Sequence, residues 1–175
     1  VPQPYEISRS GEAQIGINPD GSYDITSLFA DPFLRPGDVY TIKSALTDAS
    51  QRELRAAGED YPDWVVERYL QLPETITDRT RELARRITAD AETPYDKAQA
   101  ITNYLRANIT YTERIEPPPD NRDRIDWLLF EYQQAFCKYY DSAEVAMLRS
   151  LGTPARLAVG YADGAPLPAN AVLPP

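Results

Sequence analysis

Ala135-Phe136-Cys137-Lys138-Tyr139-Tyr140, continued by Asp141-Ser142-Ala143-Glu144-Val145-Ala146-Met147-Leu148-Arg149-Ser150-Leu151-Gly152 and then Thr153-Pro154-Ala155-Arg156, decides how this chain folds. Tyr140, Ala143, Met147 and Leu151 recur at three- and four-residue spacing, one face of an amphipathic helix, and Gly152 with Pro154 just beyond it supplies a C′ glycine and a stop. The single cysteine of the chain, Cys137, therefore falls in the first turn. Unpaired N–H groups and the positive end of the helix dipole favour a thiolate there, which is one way a cysteine becomes a nucleophile near neutral pH. Position alone also admits a buried, inert cysteine, since cysteine is among the most commonly buried residue types.

The residues after Cys137 add a second line of argument. Cys-x-x-Tyr, a helix ending Met147-Leu148-Arg149-Ser150-Leu151-Gly152, and then Thr153-Pro154-Ala155-Arg156-Leu157-Ala158-Val159-Gly160-Tyr161 resemble the core motif of the transglutaminase-like superfamily. The family pattern runs Gly-x-Cys-x-x-Phe/Tyr-Ala, a helix, Leu-Arg-x-x-Gly-Ile-Pro-Ala-Arg, then a strand ending Gly-Tyr, and the agreement is closest to the membrane-anchored bacterial branch. It is specific over residues 135 to 161 and weaker back to residue 77. Ala135 stands where the family usually has glycine, Asp141 replaces a small residue and Thr153 replaces Ile or Val. The family works with a Cys-His-Asp triad, and these 175 residues contain no histidine.

The resemblance implies an α+β fold: a papain-like core with the nucleophile-bearing helix packed on an antiparallel sheet, preceded by an N-terminal β unit. It implies Cys137 as the nucleophile, the Cys137 backbone N–H as an oxyanion donor, and Trp127 and Phe130 as wall. Phe136 and Tyr140 add apolar surface around the cysteine. Gln133 and Gln134 lie four and three residues before Cys137, and the Gln134 amide is a further candidate oxyanion donor. No cofactor and no metal enter this reading.

Composition narrows the alternatives. A chain of 175 residues suits one domain, or one with an appendage, and 42% hydrophobic with 26% charged residues is ordinary for a globular protein. The net charge of −9 has no basic block to offset it, which argues against a phosphate-backbone partner. One cysteine excludes an intrachain disulfide and a cysteine-based zinc site. No apolar run reaches the length of a membrane span. The start at Val1 and the prolines at both ends (Pro2, Pro4, Pro166, Pro168, Pro174, Pro175) read as cut points in a longer polypeptide. With the resemblance, this predicts an extracytoplasmic domain, periplasmic or on the cell surface, tethered to a membrane only through flanking segments.

Ahead of the cysteine, Ala13, Ile15 and Ile17 alternate with polar or small residues. Asn18-Pro19-Asp20-Gly21 then turns the chain into Tyr23-Asp24-Ile25-Thr26, a hairpin, and residues 39 to 46 alternate again as a third strand. Ser50 with Glu53 reads as a capping box opening a short helix that ends at Gly58. A second helix from Tyr61-Pro62-Asp63 stops before Pro73, with Trp64, Val65, Tyr69 and Leu72 as its core stripe. A composition shift at 73 to 76 divides an N-terminal extension (1 to 75) from the core (76 to 175). Within the core, Thr77 or Asp78 caps a helix burying Leu83, Ala84 and Ile87, with Arg79, Arg81, Arg85 and Arg86 solvated. Thr93-Pro94-Tyr95-Asp96 opens another that buries Ala98, Ile101, Leu105 and Ile109. Residues 109 to 112 read as a short strand and Glu116 to Asn121 as a loop. Asp126 to Phe130 form an apolar cluster, and residues 155 to 161 alternate as a strand.

Two functions fit. One is cysteine-dependent acyl transfer on protein or peptide amides, cell-wall peptide among them, with the base supplied from beyond Pro175. The other is an inactive scaffold that keeps the fold to bind peptide, cell-wall or protein partners.

Overall fold

The computed structural model describes residues 48–158, Arg35 and the backbone of four short strands nearer the N-terminus. The chain divides into two compact units, Val1–Asp48 with Ala158–Pro175, and Ala49–Leu157. The composition shift at 73 to 76 falls inside the second of these.

In the first unit, β1 (Gln3–Ile7) pairs antiparallel with β4 (Ile42–Ala45), and β2 (Gly16–Ile17) pairs antiparallel with β3 (Tyr23–Asp24). The second pair is the hairpin expected around Asn18-Pro19-Asp20-Gly21, and β4 lies within the expected third strand. The first strand, β1, was not legible. It carries a register shift between Pro4 and Glu6, where a proline without an N–H is tolerated.

The second unit is helical, and several of its helices begin where a side chain satisfies free N–H groups. In α1 (Gln51–Ala56), Ser50 and Glu53 cap each other reciprocally, and Gly58 follows with φ +75. The next helix, α2 (Asp63–Tyr69), buries no residue. Trp64, Val65, Tyr69 and Leu72 are only part-covered, which corrects their assignment to the core. Thr77 caps α3 (Asp78–Ile87), and Thr93 caps α4 (Pro94–Asn108) by accepting from the Asp96 N–H at 3.2 Å.

Leu83, Ala84, Ile101, Leu105 and Ile109 converge with Leu128, Leu129, Ala135, Ala143 and Met147 in one core. After α4 the chain makes β5 (Thr110–Tyr111), a long irregular connection, the single turn α5 (Arg124–Trp127), a π-helical turn (Leu128–Tyr132), β6 (Gln134–Ala135) and α6 (Cys137–Ser150).

The end of α6 follows the expected chemistry closely. Gly152 takes φ +78, its N–H donates to Arg149 O at 3.1 Å, and the Thr153 N–H donates to Leu148 O at 3.0 Å. That is a Schellman motif, closed by a residue that adopts the left-handed region without steric cost.

Two expectations need correction here. The strands that adjoin α6 among the described residues are the parallel pair β5 and β6, not an antiparallel sheet. Residues 155 to 158 are irregular, and 159 to 161 lie outside the described residues. The Ala155 N–H donates to Tyr69 O at 3.2 Å and its carbonyl accepts from Arg149 Nε at 2.8 Å, so its backbone groups are held by α2 and α6 rather than by a neighbouring strand. Arg79 is half-exposed, as a solvated arginine would be, but it is also engaged. Its guanidinium makes a two-pronged ion pair with Asp126, which is 4% exposed, and lies 4.4 Å from the Phe130 ring centre.

Candidate active site

The placement of Cys137 begins at Asp123, fourteen residues earlier. Asp123 accepts from the Ile125 and Asp126 N–H groups and starts α5. Asp126 then turns inward to Arg79 and to Thr77, whose hydroxyl donates to it at 2.6 Å, so the cap of α3 is joined to the first turn of α5. The Arg79 hydrogen bonds hold the Asp126 carboxyl below the usual carboxylate range; burial opposes this, and Thr77 assists. Trp127 stacks on Tyr132 with ring centres 4.3 Å apart. The Gln133 N–H closes the π turn on Leu128 O at 3.0 Å, and Gln133 itself is left-handed, with φ 52 and ψ 30.

This reversal lays β6 beside β5. Thr110 N–H donates to Gln133 O at 2.8 Å and Thr112 N–H to Ala135 O at 2.9 Å. Ala135 is fully buried, and any larger side chain there would displace the core. Phe136 remains extended as the N-cap with no side-chain cap of its own, and Cys137 is the first residue of α6. Cys137 is exposed, not buried.

Cys137 opens onto a hollow of about 410 Å³ between α6 and α4. Leu105 and Ile109 give it an apolar floor. Tyr140 and Tyr111 form an aromatic side, their rings 6.4 Å apart and 21° from parallel. The Tyr140 hydroxyl donates to Ile109 O, and burial, then the neighbouring Tyr111, raise its pKa.

The remaining lining is polar. Glu144 accepts from the Thr102 hydroxyl at 2.7 Å, with Asp141 and Arg106 beside it. Burial raises the Glu144 pKa most; the Thr102 hydrogen bond opposes it, Asp141 raises it further and Arg106 lowers it. Among the described residues, no group of three or more His, Cys, Asp or Glu side chains is placed to hold a metal ion.

The structure thus brings Cys137 and Tyr140 together in one hollow. Phe136, edge-on to Tyr139 at 5.0 Å, lines a separate groove on the other side of the helix terminus. Trp127 sits in the support beneath, 9% exposed, and Gln134 is exposed on β6. Asp141 and Glu144 were missed by sequence reasoning. They follow Cys137 at i+4 and i+7, so helical spacing alone carried the signal. Thr102 and Arg106, from α4, had no such signal.

A family model described as the transglutaminase-like superfamily matches residues 81–170. The uncharacterized protein YebA of Bacillus subtilis (strain 168) is 37% identical over 161 residues, which is 91% of this chain and 20% of that protein. A protein-glutamine gamma-glutamyltransferase of Pseudomonas aeruginosa is 34% identical over 104 residues, 59% of this chain and 15% of that protein. Among solved structures, the periplasmic domain of TgpA from Pseudomonas aeruginosa aligns over 55% of this chain and 33% of its own, at 26% identity and a TM-score of 0.47. The chain spans a fifth or less of the length of these two curated relatives.

Proposed function

The chain belongs to the transglutaminase-like superfamily, and on that premise we propose that it carries the nucleophile-bearing part of a domain performing acyl transfer on protein glutamine. The observation that supports this most is the placement of Cys137, exposed at the first position of α6 and opening onto a walled hollow. In this reading the Cys137 sulfur, as thiolate, attacks the carbon of a glutamine side-chain amide. The Cys137 N–H, unused by the helix at its first position, donates to the developing oxyanion, and the exposed Gln134 amide is a second candidate donor. The C–N bond then breaks, ammonia leaves with a proton supplied by a general acid, and a thioester remains. An acceptor amine, or water, displaces the sulfur and restores the thiolate.

The general acid and base are not among these 175 residues if histidine fills that role, since the sequence has none. Because the two curated relatives are several times longer, we assign the histidine and its acidic partner to polypeptide outside this chain. An extracytoplasmic location, with membrane-spanning segments flanking the domain, belongs to the same proposal and rests on the sequence resemblance. Among the described residues, no helix is long and apolar enough to cross a membrane. Protein or peptide substrates, cell-wall peptide included, follow from the same reading.

Measuring ammonia release from a glutamine peptide with the full-length parent, the parent carrying Cys137→Ala, and residues 1–175 alone tests this. Release is expected only from the unaltered parent. Release by residues 1–175 that vanished in Cys137→Ala would place the base within this chain and overturn the assignment. No release from the parent would favour the second reading, a binding scaffold, which the absence of histidine here supports.

A further inference from the structure

The groove on the other side of the α6 terminus measures about 900 Å³, within the range of ligand-binding clefts. Phe136 and Lys138, the two neighbours of Cys137 in sequence, both line it, while Cys137 itself lines the hollow across the helix terminus. Its floor is apolar, with Ile76 5% and Leu128 2% exposed, and Ile125 and Tyr139 extend that surface. Its rim is cationic. Arg122, Arg124 and Lys138 all line it, in a chain whose net charge is −9. Arg122 is engaged by Glu131. Arg124 and Lys138 are exposed and have no carboxylate partner among the described residues. The acid that lines the groove beside them, Asp123, is occupied by the N–H groups of Ile125 and Asp126.

From this charge complementarity we infer that the groove takes an extended acidic peptide, its apolar side chains on the Ile76–Leu128 floor and its carboxylates on Lys138 and Arg124. This names the substrate class for the proposed acyl transfer and rests on that reading: the reactive glutamine would sit next to acidic residues. A mainly apolar floor with two cations that lack a carboxylate partner among the described residues suits a peptide better than a phosphate-rich surface, which needs a denser basic patch.

The test uses the Cys137→Ala chain, so that binding is read without chemistry. Fluorescence anisotropy is measured with a labelled glutamine peptide flanked by glutamates and with the same peptide flanked by lysines. The acidic peptide should bind more tightly. Lys138→Glu with Arg124→Glu should weaken it about five-fold, as two exposed charge contacts would, and should improve the lysine peptide. Both residues are exposed, and a circular dichroism spectrum matching the parent confirms that the variant folds. Equal binding of the two peptides, indifference to the double charge reversal, full displacement by inorganic phosphate at matched ionic strength, or preference for anionic lipid vesicles would each overturn the inference. If the acidic peptide binds as expected and the unaltered parent releases no ammonia from it, the groove stands and the catalytic reading fails. If ammonia release shows no charge preference, the groove reading alone fails.

Discussion

The hydroxyl of Tyr140 donates to the carbonyl oxygen of Ile109, tying the residue one turn after Cys137 to the residue that ends α4. Ile109 is 4% exposed, so its carbonyl has little other recourse. Tyr140→Phe keeps the stack on Tyr111 and removes only this bond. The variant should lose about 1 to 2 kcal/mol of stability in urea titrations. A loss below the resolution of the titration would mean that the bond does not hold the two helices together.

Asp126→Asn removes the charge that Arg79 grips while keeping the side chain's shape. With Asp126 buried and Arg79 half-exposed, about 1 to 3 kcal/mol should be lost at pH 7. The folded-state pKa of Asp126 is depressed, so its contribution is fully present above the unfolded value of about 3.9 and is lost as pH falls through the folded value. The difference between the two proteins should therefore shrink in unfolding measurements taken down from pH 4. A gap that persists unchanged at pH 2 would refute the linkage.

Glu144 has the opposite sign. Its folded-state pKa is raised, so the folded protein holds the proton more tightly, and stability falls as pH rises from the unfolded value of about 4.3 through the folded one. Glu144→Gln retains an oxygen for the Thr102 hydroxyl and removes the half-buried charge. At pH 7 it should be neutral or stabilising by roughly 0.5 to 1 kcal/mol, and without benefit below pH 4. Clear destabilisation at pH 7 would show that the carboxylate, not merely an acceptor, is needed against Arg106.

Cys137 is exposed in the folded protein, so iodoacetamide followed by intact-mass measurement should modify it without denaturant. The rate should change by less than about ten-fold when the chain is unfolded, since access does not limit it. Strong protection in the folded state would show that something covers the thiol.

Gly152→Ala isolates a backbone effect. A Cβ there meets nothing within 4 Å, yet φ is +78. The expected loss is about 1 to 2 kcal/mol by thermal or urea unfolding, all of it conformational. An unchanged stability would indicate that the end of α6 relaxes to another cap.

What the sequence made legible was local. The Ser50–Glu53 box, the Thr93–Pro94–Asp96 start and the Gly152 stop each depend on residues a few positions apart, and each is present. The Arg79–Asp126 pair was illegible because its partners are 47 residues apart, and an arginine on a polar helix face looks the same whether or not a buried acid waits for it. The stripe of Trp64, Val65, Tyr69 and Leu72 had core periodicity, but the seven-residue helix that carries most of it buries no residue. The antiparallel sheet came from family likeness rather than from residues, and two-residue strands leave almost no pattern to read. For the site, the position of Cys137 was legible from its own helix. Its surroundings were not, since half of the hollow comes from α4 and β5.

The π turn at Leu128–Tyr132 makes the site a matter of parity. That turn holds one residue more than an ordinary helical turn before the chain reverses at Gln133. In β6 the side chains alternate, with Gln134 outward and Ala135 fully buried. Losing one residue with the π form kept would advance everything after it by one place, which turns the alanine out and brings Phe136 to its buried position. The cysteine would arrive at the helix start a step out of phase. Length in this short connector is thus as much a determinant of the site as residue identity, and substitutions should be tolerated there far better than a single deletion.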